Sequence, residues 1–336
     1  MSLKRQEHYA REQDKRRRTL TIMLSLLLLI LLPLCIVATY TWFSISRTPK
    51  VSDMEMTINS NVGLQIAWSA DAPEEEWQQR LVYTDAVSTD TLLTPVTWSD
   101  AESSFYTTTF GMDGRVKDIG VRLNDAMDSN GRDGHYVKFT LYGRTEEHVD
   151  VSLAPAVEMA DGTAGAGTYL IGTPLWQPEE VAHADGGHGA QYAIRVGLRY
   201  TKIGADGSES PVNEFIIYEP NADGHVDGSV GYYNTPSMDG TEDLVPESRL
   251  LRQSSSTWEE SYPVERDVVI RDLGEFQRDP ALFELRPEER VKIEVYIWLE
   301  GMDVDCVNAI GQGARIFANL QFLADPHNHS GLVPIE

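Results

Sequence analysis

Cysteine is almost missing from this chain: 336 residues contain two, Cys35 and Cys306. Cys35 lies inside a long apolar run, so no disulfide can close within the part that follows it, and stability there has to come from a hydrophobic core. Positive charge is scarce as well. Lys and Arg number 28 against 52 Asp and Glu, a formal charge of −24. A chain of that sign lacks the basic face that releases counterions from phosphates, which argues against a nucleic-acid partner. Motifs with built-in chemistry are also missing: there is no G-x-S-x-G, no glycine-rich phosphate loop and no H-E-x-x-H. Serine, nucleotide and zinc-protease chemistry therefore have no foothold, and no cofactor, catalytic residue or metal ligand is assigned.

The basic residues that exist are unevenly placed. Residues 1–18 hold seven basic and three acidic side chains, net +4, which leaves −28 for the rest of the chain. From Thr19 to Phe43 follow 25 positions without a charge, built on a Leu/Ile centre. As a helix this run is roughly 37 Å long, enough to cross a hydrocarbon core of about 30 Å with some tilt. The basic flank precedes it, so the positive-inside bias puts residues 1–18 in the cytoplasm and residues 44–336 outside. A basic start and an apolar centre also describe a signal peptide, and small residues at Thr39 and Thr41, just before Trp42, offer a signal peptidase a place to cut. Anchoring and release both remain open. The LPLC string at Leu32–Cys35 is read as membrane packing, and no second apolar run near the C-terminus suggests another anchor.

Beyond the span, alternation with period two marks strands. Val62, Leu64, Ile66 and Trp68 form one apolar face; Tyr192, Ile194, Val196, Leu198 and Tyr200 form another, with Arg195 and Arg199 on its opposite side. The clearest face, Val291, Ile293, Val295, Ile297 and Leu299, is followed by Ile316, Ala318, Leu320 and Phe322, and the two segments are expected to pair as antiparallel neighbours. Shorter candidates begin at Asp53, His135, Val149, Glu214 and Asp267, while short helical pieces are expected over 72–81 and 246–252. Many strands divided by Gly, Asp, Asn and Pro predict an all-β, antiparallel β-sandwich of jelly-roll-like topology. It is expected as one domain, 44–336, with long loops over about 156–191 and 221–262.

Two blocks resemble a known group. ATYTWFSISRTPKVSDMEMTINSNVGLQI (Ala38 to Ile66) looks like the start of exported Gram-positive proteins with a SipW-dependent-type signal. LRPEERVKIEVYIWLEGMDVDCVNAI (Leu285 to Ile310), ahead of ANLQFLA (Ala318 to Ala324), resembles the closing hairpin of the same clostridial group. Together they cover roughly 60 residues. The resemblance implies the broad TasA/camelysin-like class of jelly-roll surface and biofilm-matrix proteins; camelysin has been described as a protease, but no ligand or base follows from the match. Its most specific part is the turn motif Trp298, Glu300, Gly301, Asp303, Asp305 and Cys306. Read from the residues alone, Gly301 supplies backbone freedom and the aspartates accept from turn amides. The three carboxylates Glu300, Asp303 and Asp305 could also begin a calcium site, an acidic-dyad enzyme being a further alternative, and Cys306 is read as a buried thiol.

Seven of the eight histidines follow the span (His135, His148, His183, His188, His225, His327 and His329) and are read as solvated loop residues. Three functions are weighed. The first is a noncatalytic surface or matrix protein, tethered to the membrane or released, in which a freed leading strand adds to a neighbour's sheet to build a fibre. The second is a carbohydrate- or protein-binding module using Trp68, Trp98, Trp176 and Trp258 as platforms. The third is a metal-dependent hydrolase. Partners expected are the membrane, other copies of the chain, and surface proteins or glycans.

Overall fold

The computed structural model describes residues 15–35, 50–84, 93–99, 102–111, 116–126, 134–154, 157–158, 164–172, 193–211, 215–219, 250–254, 257–264, 267–272, 281–303, 306 and 314–327. The chain falls into two units, Met1–Arg47 and Thr48–Glu336. In the first, one helix, α1 (Lys15–Cys35), is long and apolar enough to cross a membrane by length and composition. Its Leu and Ile side chains are exposed all round, a surface suited to lipid rather than water. Thr19 and Thr21 donate their hydroxyls to the carbonyls of Lys15 and Arg17, both at 2.9 Å, so neither adds an unpaired polar group.

The second unit is rich in β-structure. In chain order its described strands are β1 (Val51–Ser60), β2 (Gln65–Ala67), β3 (Arg80–Thr84), β4 (Pro95–Ser99), β5 (Ser104–Phe110), β6 (Val116–Arg122) and β7 (Tyr136–Arg144). Next come β8 (Val149–Leu153), β9 (Val157–Glu158), β10 (Ala164–Ala166), β11 (Tyr169–Gly172), β12 (Ile194–Ile203), β13 (Glu209–Pro211) and β14 (Ile216–Glu219). The series ends with β15 (Leu250–Ser254), β16 (Thr257–Val264), β17 (Asp267–Asp272), β18 (Ala281–Leu285), β19 (Arg290–Glu300) and β20 (Ala314–Pro326). The smaller sheet runs β18-β8-β20-β1-β3, with β11 alongside β20. The larger runs β17-β16-β15-β14-β12-β19, with β7 and then β2 beyond β19, and β4-β5-β6 continuing from its far end.

One core joins the two sheets. Met54, Met56 and Ile58 of β1 and Ile316, Ala318, Leu320 and Phe322 of β20 belong to the same buried cluster as Val196 and Leu198 of β12 and Val291, Ile293, Val295 and Ile297 of β19. Alternate residues on each strand supply it, as period-two burial requires. Both sheets are mixed rather than antiparallel throughout: β1 runs parallel to β20, β14 to β15, and β4 to the end of β19.

The expected pairing of the Val291–Leu299 segment with Ile316–Phe322 does not occur. Arg290–Trp298 lies along β7, with β12 on the other side of β19, whereas β20 lies in the smaller sheet beside β1, β8 and β11. The reason lies in the connection. Residues 301–313 are too many for a tight hairpin and long enough to carry the chain across the core to the facing sheet.

Other local expectations change too. Residues 72–81 form a 3-10 turn at Glu74–Glu76 and the start of β3, and 250–254 is strand rather than helix. The expected loop over 156–191 contains β9, β10 and β11, and that over 221–262 contains β15 and much of β16. Val62 does not join the inward face of Leu64 and Ile66 but stands 84% exposed.

Candidate functional site

Halfway along β19 the burial pattern changes. Only alternate residues are covered up to Glu294, but from Val295 onward every side chain is buried. The outer face there carries a second, aromatic cluster: Tyr296 and Trp298 with Phe215, Ile217, Val96, Trp98, Phe105 and Met302. Phe105 meets Trp298 edge-on at 5.2 Å, and Trp98 lies 4.3 Å from Phe215, distances at which aromatic pairs add to simple burial. This second layer explains why Arg195, expected on a wetted face, is completely buried.

Arg195 is held by the turn motif. Its Nη2 donates to Asp303 Oδ2 at 2.5 Å, with both side chains sealed from solvent, and its Nη1 donates to the Ile194 carbonyl at 3.1 Å. Glu300, equally buried, accepts from Trp298 Nε1 at 2.9 Å and from the Met302 amide at 3.0 Å. Burial pushes the Glu300 pKa up to about 7, against the opposing pull of the Trp298 N–H, the Arg195 charge and the Met302 amide. The turn closes through Asp303 N to Glu300 O at 3.2 Å and Cys306 N to Asp303 O at 3.0 Å, with Cys306 buried and in no disulfide.

The motif therefore comes together at Trp298, Glu300, Gly301, Asp303 and Cys306, but as an interior network and not as a solvated acidic loop. A guanidinium already fills the place beside Asp303 that a calcium ion would take, and no face of Glu300 is open to a solute. The role expected for Gly301 also changes. Its φ is not in the left-handed region; instead, a Cβ there would lie 2.1 Å from the Thr108 hydroxyl. Small size, not backbone freedom, is what the position demands. Asp305 lies outside the described residues, as do Thr39, Thr41 and Trp42.

A separate group of polar side chains gathers at one end of the smaller sheet. His148 directly precedes β8, Glu284 lies on β18, and His327 directly follows β20, three neighbouring strands. His148 Nε2 lies 2.5 Å from Glu284 Oε1, and His327 Nδ1 lies 2.8 Å from Asp150 Oδ1. The two imidazoles stack at 4.2 Å and 22°, and the His327 amide donates to the His148 carbonyl at 2.9 Å. The His148 bond, and after it Arg286, hold the Glu284 carboxyl below its usual range against desolvation. These two histidines are thus strand-end residues with fixed partners, not solvated loop residues. His135 is likewise engaged, 2.9 Å from the Thr94 hydroxyl, while His183, His188, His225 and His329 lie outside the described residues. Sequence reading missed the group because His148 and His327 are far apart in the chain. The only hint was their position flanking apolar alternation.

The tryptophans proposed as platforms do not share one face. Trp98 is core, whereas Trp68 is 42% exposed beside Tyr83 and Phe139, whose rings stack at 4.7 Å. Trp176, and the side chain of Trp258, lie outside the described residues. No family description, curated protein or solved structure matches the chain.

Proposed function

We propose that the chain is a noncatalytic, exported protein of a cell surface or biofilm matrix, delivered by α1 and either retained by it or released near Trp42. The observation that carries this reading is the pairing, among the described residues, of an exposed helix that is charge-free from Thr19 onward with an acidic β-sheet unit that has its own core. The basic residues ahead of and in the first turn of α1 favour a cytoplasmic N-terminus and an external C-terminal unit. A jelly-roll topology stays within the proposal, supported by two sheets that share one core and by consecutive strands, β19 and β20, that lie in different sheets.

Fibre formation by strand exchange belongs to the same reading, in a modified form. β1 is not spare: it lies between β20 and β3, with Met54, Met56 and Ile58 buried. Deleting Val51 to Ile58 would remove part of the core, so it cannot separate assembly from folding. In an exchanged fibre the slot between β20 and β3 takes the β1 of a neighbouring copy. Thr57 and Val82 face each other across β1 and β3, so the pair Thr57→Cys and Val82→Cys reports which copy supplies the strand. Exchange gives covalent ladders on nonreducing gels of surface extracts; cross-links confined to single chains would refute it.

A binding-module reading has one observation in its favour, the half-exposed Trp68 against Tyr83 and Phe139, an arrangement that can stack on a sugar ring. Retention on glycan columns that is lost in Trp68→Ala would support it.

A further inference from the structure

The histidine group at the end of the smaller sheet has the composition and placement of a metal centre. Val149 and Val151 of β8 and Phe283 and Leu285 of β18 enter the core, as does Leu282 at the register shift in β18, so the positions flanking or between the former, His148, Asp150 and Glu284, project from the outer face. Pairing sets Glu284 opposite Asp150 and Asp150 opposite Asp325. One donor atom each from His148, Glu284 and His327 lies within 4.8 Å of the others. Side-chain exposures of 23% to 33% leave an entry path.

We propose that His148, Glu284 and His327 bind a divalent transition metal of the zinc class, with Asp150 orienting His327 from behind. Asp150 can only accept, so the proton at their contact resides on His327 Nδ1 and Nε2 is the nitrogen that ligates a metal; this carboxylate–imidazole relay fixes the tautomer. Across the site, His148 Nε2 lies 2.5 Å from Glu284 Oε1. A metal ligated by both side chains takes the place of that direct contact, with His148 ligating through an unprotonated nitrogen. Two imidazoles and one carboxylate suit zinc and its neighbours, whereas calcium and magnesium favour oxygen donors alone. The charges of Glu284 and Asp150 balance a divalent ion, and three protein ligands leave a position open to water. Coordination requires the stacked rings to splay, because a ligating nitrogen directs its lone pair within the ring plane. This site does not depend on the surface-protein reading.

The test uses the full-length chain in detergent micelles, stripped with a chelator and titrated separately with Zn2+, Co2+ and Ca2+. One tight equivalent of Zn2+ is expected, with Co2+ giving the visible absorption of a low-coordinate nitrogen–oxygen site. His148→Ala and His327→Ala should each weaken Zn2+ binding at least tenfold, and Asp150→Asn should weaken it by about 10- to 100-fold without changing the stoichiometry. Glu284→Gln and Asp150→Asn nearly preserve shape, so they decide the matter if a histidine variant fails to fold by circular dichroism. Unchanged Zn2+ affinity in Glu284→Gln and Asp150→Asn, or Ca2+ binding as tight as Zn2+, would overturn the proposal and assign the binding to the acidic surface at large.

Discussion

Replacing Glu300 by glutamine should flatten part of the pH dependence of stability. In the folded chain the buried carboxyl holds its proton up to about pH 7, while unfolded it has the ordinary value of 4.5. Between those limits the folded state binds more protons than the unfolded state, so the contribution of Glu300 is fully present below 4.5 and is lost as pH rises through 7. A difference of about two and a half units corresponds to something on the order of 3 kcal/mol. The glutamine of the Glu300→Gln variant does not titrate. It still accepts from Trp298 Nε1 or the Met302 amide through one oxygen, and the bond it forfeits costs about 1 kcal/mol at every pH. Urea unfolding of both proteins, followed by tryptophan fluorescence at half-unit steps from pH 4.5 to 8, yields the difference curve. In that difference the histidines, the other carboxylates and the overall charge largely cancel. Wild type should lose roughly 3 kcal/mol relative to the variant across the window. Parallel curves would mean that Glu300 is ionised in the folded protein and that its burial has been misjudged.

Three further outcomes follow from packing. Gly197→Ala places a Cβ 2.2 Å from the Phe215 ring and should cost about 1–3 kcal/mol in urea unfolding; a neutral result would contradict the close approach of that ring. Gly301→Ala should destabilise through its clash with Thr108 and be partly rescued by Thr108→Ala, whereas a requirement for left-handed backbone would leave it unrescued. Arg195→Met strands the buried Asp303 carboxylate and should cost about 3–5 kcal/mol, with the double variant Arg195→Met/Asp303→Leu recovering much of the loss. A double variant no better than the single would mean that the pair does not neutralise itself.

Strands were legible where one face is buried and the other wet. β7 and the first half of β19 show the alternation plainly, and α1 is evident from charge and hydropathy alone. What alternation does not encode is which strand lies beside which. β19 and β20 carry matching patterns because they face one core from opposite sheets, and that match resembles the pattern of a hairpin. The second aromatic layer was hidden for a related reason. Once Trp98, Phe105 and Phe215 cover the outer face of β19, both faces are buried and the period-two signal disappears, taking with it the clue that Arg195 and Asp303 meet inside. Glu300 and Asp303 were visible as acidic residues in a turn, but their burial depends on that layer. The His148, Glu284 and His327 group depends on strand order in the smaller sheet, which no local spacing records.

Export through α1 is most directly tested by protease treatment of intact Gram-positive cells producing the full chain with an epitope ahead of residue 15. An external β-sheet unit should be digested without lysis, or recovered from the medium with a start near Trp42, while the epitope stays protected until the cells are opened. A chain whose residues 44–336 resist the protease until lysis and never reach the medium would contradict export and the surface role built on it.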